Sequence, residues 1–171
     1  PLMDWDWLRA FESSGSMSPE QGWLPYHLTI SRGKELLAVA PLYVKGHSEG
    51  EFVWDYMWAD VASQLKVQYY PKLIGMSPAT PSVGYRFLIA ASEDEEYLTD
   101  LLLDAIDQFC EANNLSGCSF NYADDNWKMK IIKRGYSAWL HQSFEWINQG
   151  FTSFDDYLQS FTKNQRRNIK R

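Results

Sequence analysis

Asp55 and Asp60 lie among Trp54, Tyr56, Met57 and Trp58. Carboxylates set between aromatic side chains can wall an acidic cleft that holds an amine or a sugar, with an aspartate as general base. The same residues also suit a plainer arrangement, in which both aspartates cap turns and the aromatics fill core. Lys72 and Arg86 flank a segment containing Pro78, Pro81 and Gly84. They can hold a carboxylate or phosphate, or pair structurally with Asp55 or Asp60. Tyr69 and Tyr70 can stack on a sugar ring or sit half-buried in a strand. Asp55 and Asp60 are therefore the candidate catalytic groups, and Trp58, Tyr70, Lys72 and Arg86 the candidate substrate contacts.

The remaining chemistry-bearing residues say less. His27 and His47 fall in or beside a hairpin and His141 in a later strand, and each reads as a hydrogen-bonded structural histidine. Cys110 and Cys118 are too far apart for a CxxC motif, so neither a zinc site nor a disulfide framework is expected. Reduced thiols suit a cytoplasmic protein. From Lys163 to Arg171 stand five basic residues and no acidic one. Residues 1–162 hold 11 basic and 22 acidic residues, so the body is acidic and the tail basic.

The elements that must position these residues follow from spacing. Trp5, Leu8 and Phe11 recur at three-residue intervals, predicting a short helix over residues 4–14 that ends before Pro19. Residues 26–31 and 35–45 read as a β-hairpin turning at Gly33. Phe52-Val53-Trp54 reads as extended, residues 60–66 as a helical turn or two, and residues 73–76 and 86–90 as short strands. Ser92 and Glu95 have capping-box spacing. After them Leu98, Leu101, Leu102, Ala105, Ile106 and Phe109 predict a long helix, with Cys110 near its apolar stripe. A strand over 117–122 follows, then a helix capped by Asp124 or Asp125 and closed by Gly135. A long strand over 136–147 and one final helix capped by Ser153 complete the pattern. On that helix Phe154, Tyr157, Leu158 and Phe161 form an apolar stripe opposite the basic residues.

The chain has 171 residues, enough for one ordinary domain with a real core. Hydrophobic residues make up 45% and charged residues 22%, which excludes a disordered chain. A net charge of −6 excludes a general polyanion binder. No apolar run has the length of a membrane span, and no secretory leader is evident. Pro1 in first position and the absence of a helix terminator after Arg171 suggest a piece of a longer protein. The order of elements predicts an α/β (α+β) fold with a mixed, mostly antiparallel central sheet flanked by helices.

A hairpin followed by strand–helix–strand–helix–strand is also the order of the GNAT acyltransferase fold. Asp55-Tyr56-Met57-Trp58-Ala59-Asp60, Tyr69-Tyr70-Pro71-Lys72-Leu73, and the run with Pro78, Thr80, Pro81, Gly84 and Arg86 narrow the comparison. So do Trp146, Asn148, Phe154-Asp155-Asp156 and Arg166-Arg167-Asn168-Ile169-Lys170-Arg171. In these residues the chain resembles the FemAB-like family, GNAT-fold proteins associated with peptidoglycan biosynthesis. The resemblance implies acyl or aminoacyl transfer to an amine acceptor, either a small molecule or a peptide or glycan. It implies a protein about twice as long with two GNAT-like halves. Residues 1–150 would then form the first GNAT-like domain, and residues 151–171 a basic helix leading to a second. CoA or aminoacyl-tRNA would be the donor, with Arg166 and Arg167 as anionic-donor contacts that could include tRNA. Glu145 stands where many members have His, so a role for that His does not carry over. The alternative is a non-catalytic module that recognises glycan or peptide.

GNAT enzymes hold the CoA diphosphate on bare backbone N–H groups at the start of the long helix, through a Gly-rich turn. Here the corresponding segment, residues 88–96, has no glycine and ends in Glu93-Asp94-Glu95-Glu96. Four carboxylates suit the helix dipole but repel a diphosphate, so no cofactor is expected in this half. Calorimetric titration of this chain with acetyl-CoA should show no low-micromolar binding. A low-micromolar constant abolished by substitution near Ser92 would overturn that expectation.

Overall fold

A computed structural model describes residues 2–142 and 144–171. The chain divides into two compact units, Pro1–Trp139 and Leu140–Arg171. The first opens with α1 (Trp5–Ser13) and a short turn of 3₁₀ helix (Pro19–Gln21). Strands β1 (Leu24–Pro25), β2 (Leu28–Arg32), β3 (Glu35–Ala40) and β4 (Tyr43–Lys45) follow, then α2 (Tyr56–Gln64) and β5 (Lys72–Gly75). The unit continues through β6 (Leu88–Ile89), α3 (Glu95–Ala112), β7 (Cys118–Phe120) and α4 (Asp125–Lys133). The second unit holds α5 (Phe154–Gln159) and α6 (Lys163–Ile169). The protein is α+β, and among the described residues no helix is long and apolar enough to cross a membrane.

The strands form two sheets, ordered β1-β4-β5-β7 and β2-β3-β6. Every pair is antiparallel except β5 with β7. The expected hairpin is present, turning at Gly33, whose φ of 62° suits a residue without Cβ. Its second strand, read as one run over 35–45, is instead broken at Pro41-Leu42, because proline offers no N–H for a ladder. There the chain leaves the three-stranded sheet and enters the four-stranded one. The corner is closed by side chains: the Tyr85 hydroxyl donates to the Pro41 carbonyl over 2.9 Å, and the Leu42 N–H donates to His27 Nδ1 over 3.0 Å.

Helix α3 packs the main core with Leu98, Leu102, Leu103, Ile106 and Cys110. Leu101, placed on the apolar stripe from sequence, is exposed, and Leu103 takes the buried position. Its N-cap is Asp94, which accepts from the Tyr97 N–H over 3.0 Å, and not Ser92; a carboxylate so placed also meets the positive end of the helix. Asp124 caps α4 and Ser153 caps α5 as expected. Trp127 of α4 is the hub of an aromatic cluster, 4.8 Å from Phe87 and 5.1 Å from Phe120 between ring centres.

Two further expectations fail. The strand over 136–147 is absent, since none of the described residues in that stretch pairs with a neighbouring strand, and alternation without a partner ladder makes no strand. The single final helix is two. Thr162 starts a new capping box with Gln165 and so ends the first helix after Gln159. In that second unit the Tyr157 ring lies 5.5 Å from Trp146, 5.3 Å from Phe151 and 4.9 Å from Phe161.

Gly75 on β5 is a packing constraint. A Cβ there would press into the Tyr85 ring and lie 2.7 Å from Phe120 Cδ1. Gly75→Ala should destabilise the first unit by about 1–3 kcal/mol in urea unfolding, as overpacking of a closed core does. An unchanged midpoint would mean that the Tyr85 corner can yield.

Candidate functional site

Pairing of β4 with β5 sets Lys45 directly opposite Lys72. Both are buried, at 0% and 5% exposure. Like charges facing each other across adjacent strands repel, and burial makes each more costly. The segment after β4 supplies the answer. It returns over the lysines and places Ser48, Glu51 and Asp55 against them, with Glu51 at 0% and Asp55 at 3% exposure.

The Lys72 ammonium donates to Ser48 Oγ (2.6 Å), Glu51 Oε2 (3.0 Å) and Asp55 Oδ2 (2.6 Å), which uses its three N–H donors. Asp55 Oδ2 also accepts from Ser48 and from the Tyr69 hydroxyl, each over 2.8 Å. Ser48 has one proton, and with that given to Asp55 its 2.8 Å contact with Tyr70 has the tyrosine hydroxyl donating. Asn121 Nδ2 donates to Glu51 Oε2 over 3.3 Å. Lys45 Nζ donates to the Glu49 carbonyl over 2.8 Å and sits 3.6 Å from the centre of the Trp23 ring, a cation–π contact. Glu51 Oε1 and Asp55 Oδ1 are buried with no partner among the described residues.

These surroundings set the protonation of each group. Burial would raise the Asp55 carboxyl, but hydrogen bonds from Lys72, Ser48 and Tyr69 outweigh it and hold Asp55 below the usual range. Glu51 is pushed up by burial against the opposing pull of Lys72 and Lys45. Burial draws Lys45 down to about 8, opposed by Glu51 and aided by Lys72. Tyr69 is pushed up by burial and by its bond to Asp55. An aspartate held ionised in this way is a weak base.

The segment that carries Glu51 and Asp55, and the helix it leads into, expose large apolar side chains. Helix α2 buries none of its residues fully. Ala59 and Ala62 are half-buried, while Met57, Trp58, Val61 and, just past its end, Leu65 are exposed along one stripe. The helix thus turns large apolar side chains outward. Just before it, Phe52 and Trp54 are exposed and carry φ values of 57° and 48°. The sequence reads that stretch as extended, and for bulky aromatics this left-handed backbone is an outlier. Tyr122, at φ 53°, donates its hydroxyl to the Phe52 carbonyl over 2.7 Å. Strained backbone gathered at one place is a mark of functional sites.

The structure thus brings Asp55, Lys72 and Tyr70 together. Asp60 lies outside that cluster, exposed on α2, and Trp58 is exposed with its ring 6.0 Å edge-on from Trp139. Arg86 is exposed, between buried Tyr85 and Phe87. Arg166 of α6 donates to the Phe161 carbonyl over 2.5 Å, and Arg167 is exposed. His27 is structural: with Nδ1 accepting from Leu42, its Nε2 donates to Glu12 over 2.9 Å. At the start of α3, Glu93 is paired with Arg32 over 2.8 Å and Glu95 with Lys130 over 2.7 Å. Glu51, Ser48, Lys45 and Asn121 were missed from sequence. The available signal was strand alternation: Tyr43 and Lys45 point the same way on β4, and an inward lysine demands nearby acids.

Residues 1–171, the whole chain, match the FemAB-like family, described as peptidoglycan biosynthesis/recognition. The chain belongs to the FemAB-like family. No curated protein and no solved structure gives a match beside it.

The two aspartates should respond differently to neutralisation. Asp55→Asn should cost about 3–5 kcal/mol at neutral pH, since it leaves buried cations short of a counter-charge. Asp60→Asn should stay within about 0.5 kcal/mol. Because the folded Asp55 lies below its ordinary value of 3.8, its contribution is present above that value and lost as pH falls through the lower folded one. Glu51 lies above its ordinary 4.5, so its contribution is present below that value and is lost as pH rises. Urea titrations should therefore show the gap between wild type and Asp55→Asn closing in acid, and Glu51→Gln costing less than Asp55→Asn at neutral pH.

Proposed function

We propose that this chain is the acceptor-recognising part of a peptidoglycan-related acyl- or aminoacyltransferase. It would hold a glycan–peptide acceptor across the aromatic surface of α2 and the Phe52–Trp54 segment. The observation that carries this reading is the outward-turned apolar face of α2, a helix that starts at the buried Asp55. Sugar rings present flat C–H faces that pack on exposed Trp and Tyr, and their hydroxyls need few ionic partners. Trp54 and Trp58, 65% and 57% exposed, are the best-placed stacking residues. Asp60, one helical turn from Tyr56 and Met57, is the carboxylate open to an acceptor amine and is the candidate base. Asp55 and Lys72 bind each other, so they serve as anchors and not as reacting groups. The glycine-free start of α3 favours a donor other than CoA bound at that helix, while Arg32 and Lys130 offset the charge of Glu93 and Glu95 there. Arg166 and Arg167 remain the candidate contacts for an anionic donor such as aminoacyl-tRNA.

The reading is tested by tryptophan fluorescence titration with soluble peptidoglycan fragments that carry both sugar and peptide. Trp58→Ala should weaken binding about tenfold or more, roughly 1.4 kcal/mol, without changing thermal stability. Equal binding by wild type and Trp58→Ala would remove α2 from the acceptor site.

A further inference from the structure

We propose that Lys72 is a positioning residue for the aromatic surface: its one ammonium clamps residues 48–55 into the strained path that turns Phe52 and Trp54 outward. The functional consequence rests on the acceptor reading above, but the clamp itself does not.

Ser48, Glu51 and Asp55 are the start, middle and end of the segment, and all three bind the same Nζ at 2.6, 3.0 and 2.6 Å. Phe52 and Trp54 lie between the last two anchors, on either side of the buried Val53, and both hold a positive φ that bulky side chains avoid. A backbone in such a region persists only where its surroundings over-determine it. The charge-assisted bonds of Lys72 supply that determination from beneath. Tyr122, through the Phe52 carbonyl, and Asn121, through Glu51, add further bonds to the segment. Asp55 also occupies the N-cap position of α2, yet its side chain makes no cap bond and turns to Lys72. The helix that displays Met57, Trp58 and Val61 therefore starts from a residue held by the clamp. With no fully buried residue of its own, α2 has little packing to hold it otherwise.

Fluorine NMR of fluorotryptophan-labelled protein tests this directly, with resonances assigned through Trp54→Phe, Trp58→Phe and Trp127→Phe. Trp127 is 2% exposed in the core and reports the fold. In Lys72→Met the Trp54 resonance should move toward the free amino-acid position while Trp127 stays in place. Ser48→Ala, which removes one anchor and keeps every charge, should move Trp54 the same way by a smaller amount. Lys72→Met should also bind peptidoglycan fragments at least tenfold more weakly than wild type. An unmoved Trp54 in Lys72→Met, with Trp127 intact, overturns the clamp. If Lys72→Met unfolds, Ser48→Ala decides, and an unmoved Trp54 there overturns it. If Trp54 moves but wild type binds no fragment, the clamp stands and the acceptor reading falls.

Discussion

Two lysines facing each other across β4 and β5, both out of water, are the constraint on which this part of the molecule depends. Their mutual repulsion and desolvation would disfavour the pairing of the two strands unless acids came to meet them. Glu51 and Asp55 do so, and the chain between β4 and α2 is shaped by that requirement. Replacing such a cluster with apolar residues of like volume is commonly neutral or stabilising, so stability alone does not explain its presence. What it supplies is a defined path. One ammonium with three acceptors in fixed directions specifies a loop more tightly than apolar packing does.

The cost of that path appears at Phe52 and Trp54, where aromatic residues adopt left-handed backbone and show their rings to solvent. Helix α2 continues the same inversion, resting on Ala59 and Ala62 and turning Met57, Trp58 and Val61 outward. An ordinary surface helix does the opposite. The core meanwhile is conventional, with α3 and the Trp127 cluster burying their large side chains. An ordered core beside one surface of inverted polarity is the contrast on which the acceptor proposal rests.

Local chemistry was legible wherever it is settled by residues close in sequence. The turn at Gly33, the caps at Asp124 and Ser153, the stop at Gly135 and the body of α3 each depend on a few neighbouring side chains. The FemAB-like resemblance was legible too, through short runs such as Tyr69-Tyr70-Pro71-Lys72-Leu73. The errors fall where a long-range partner decides. Residues 136–147 alternate like a strand but find no ladder among the described residues. The stretch at Phe52–Trp54 looks extended until Lys72, some 20 positions later, pulls its flanks inward.

The same division runs through the site. By itself the sequence determined that aromatics and acids crowd residues 51–60, and it left Lys72 either an anionic ligand or a pairing with Asp55 or Asp60, because composition and charge are properties of the residues themselves. Only the tertiary structure decided that Lys72 is buried and which acids it meets. The β4–β5 register set Lys45 against Lys72, so one acid was not enough, and Glu51 joined Asp55 while Asp60 stayed in water. Register is a contact between distant segments, and no local pattern carries it.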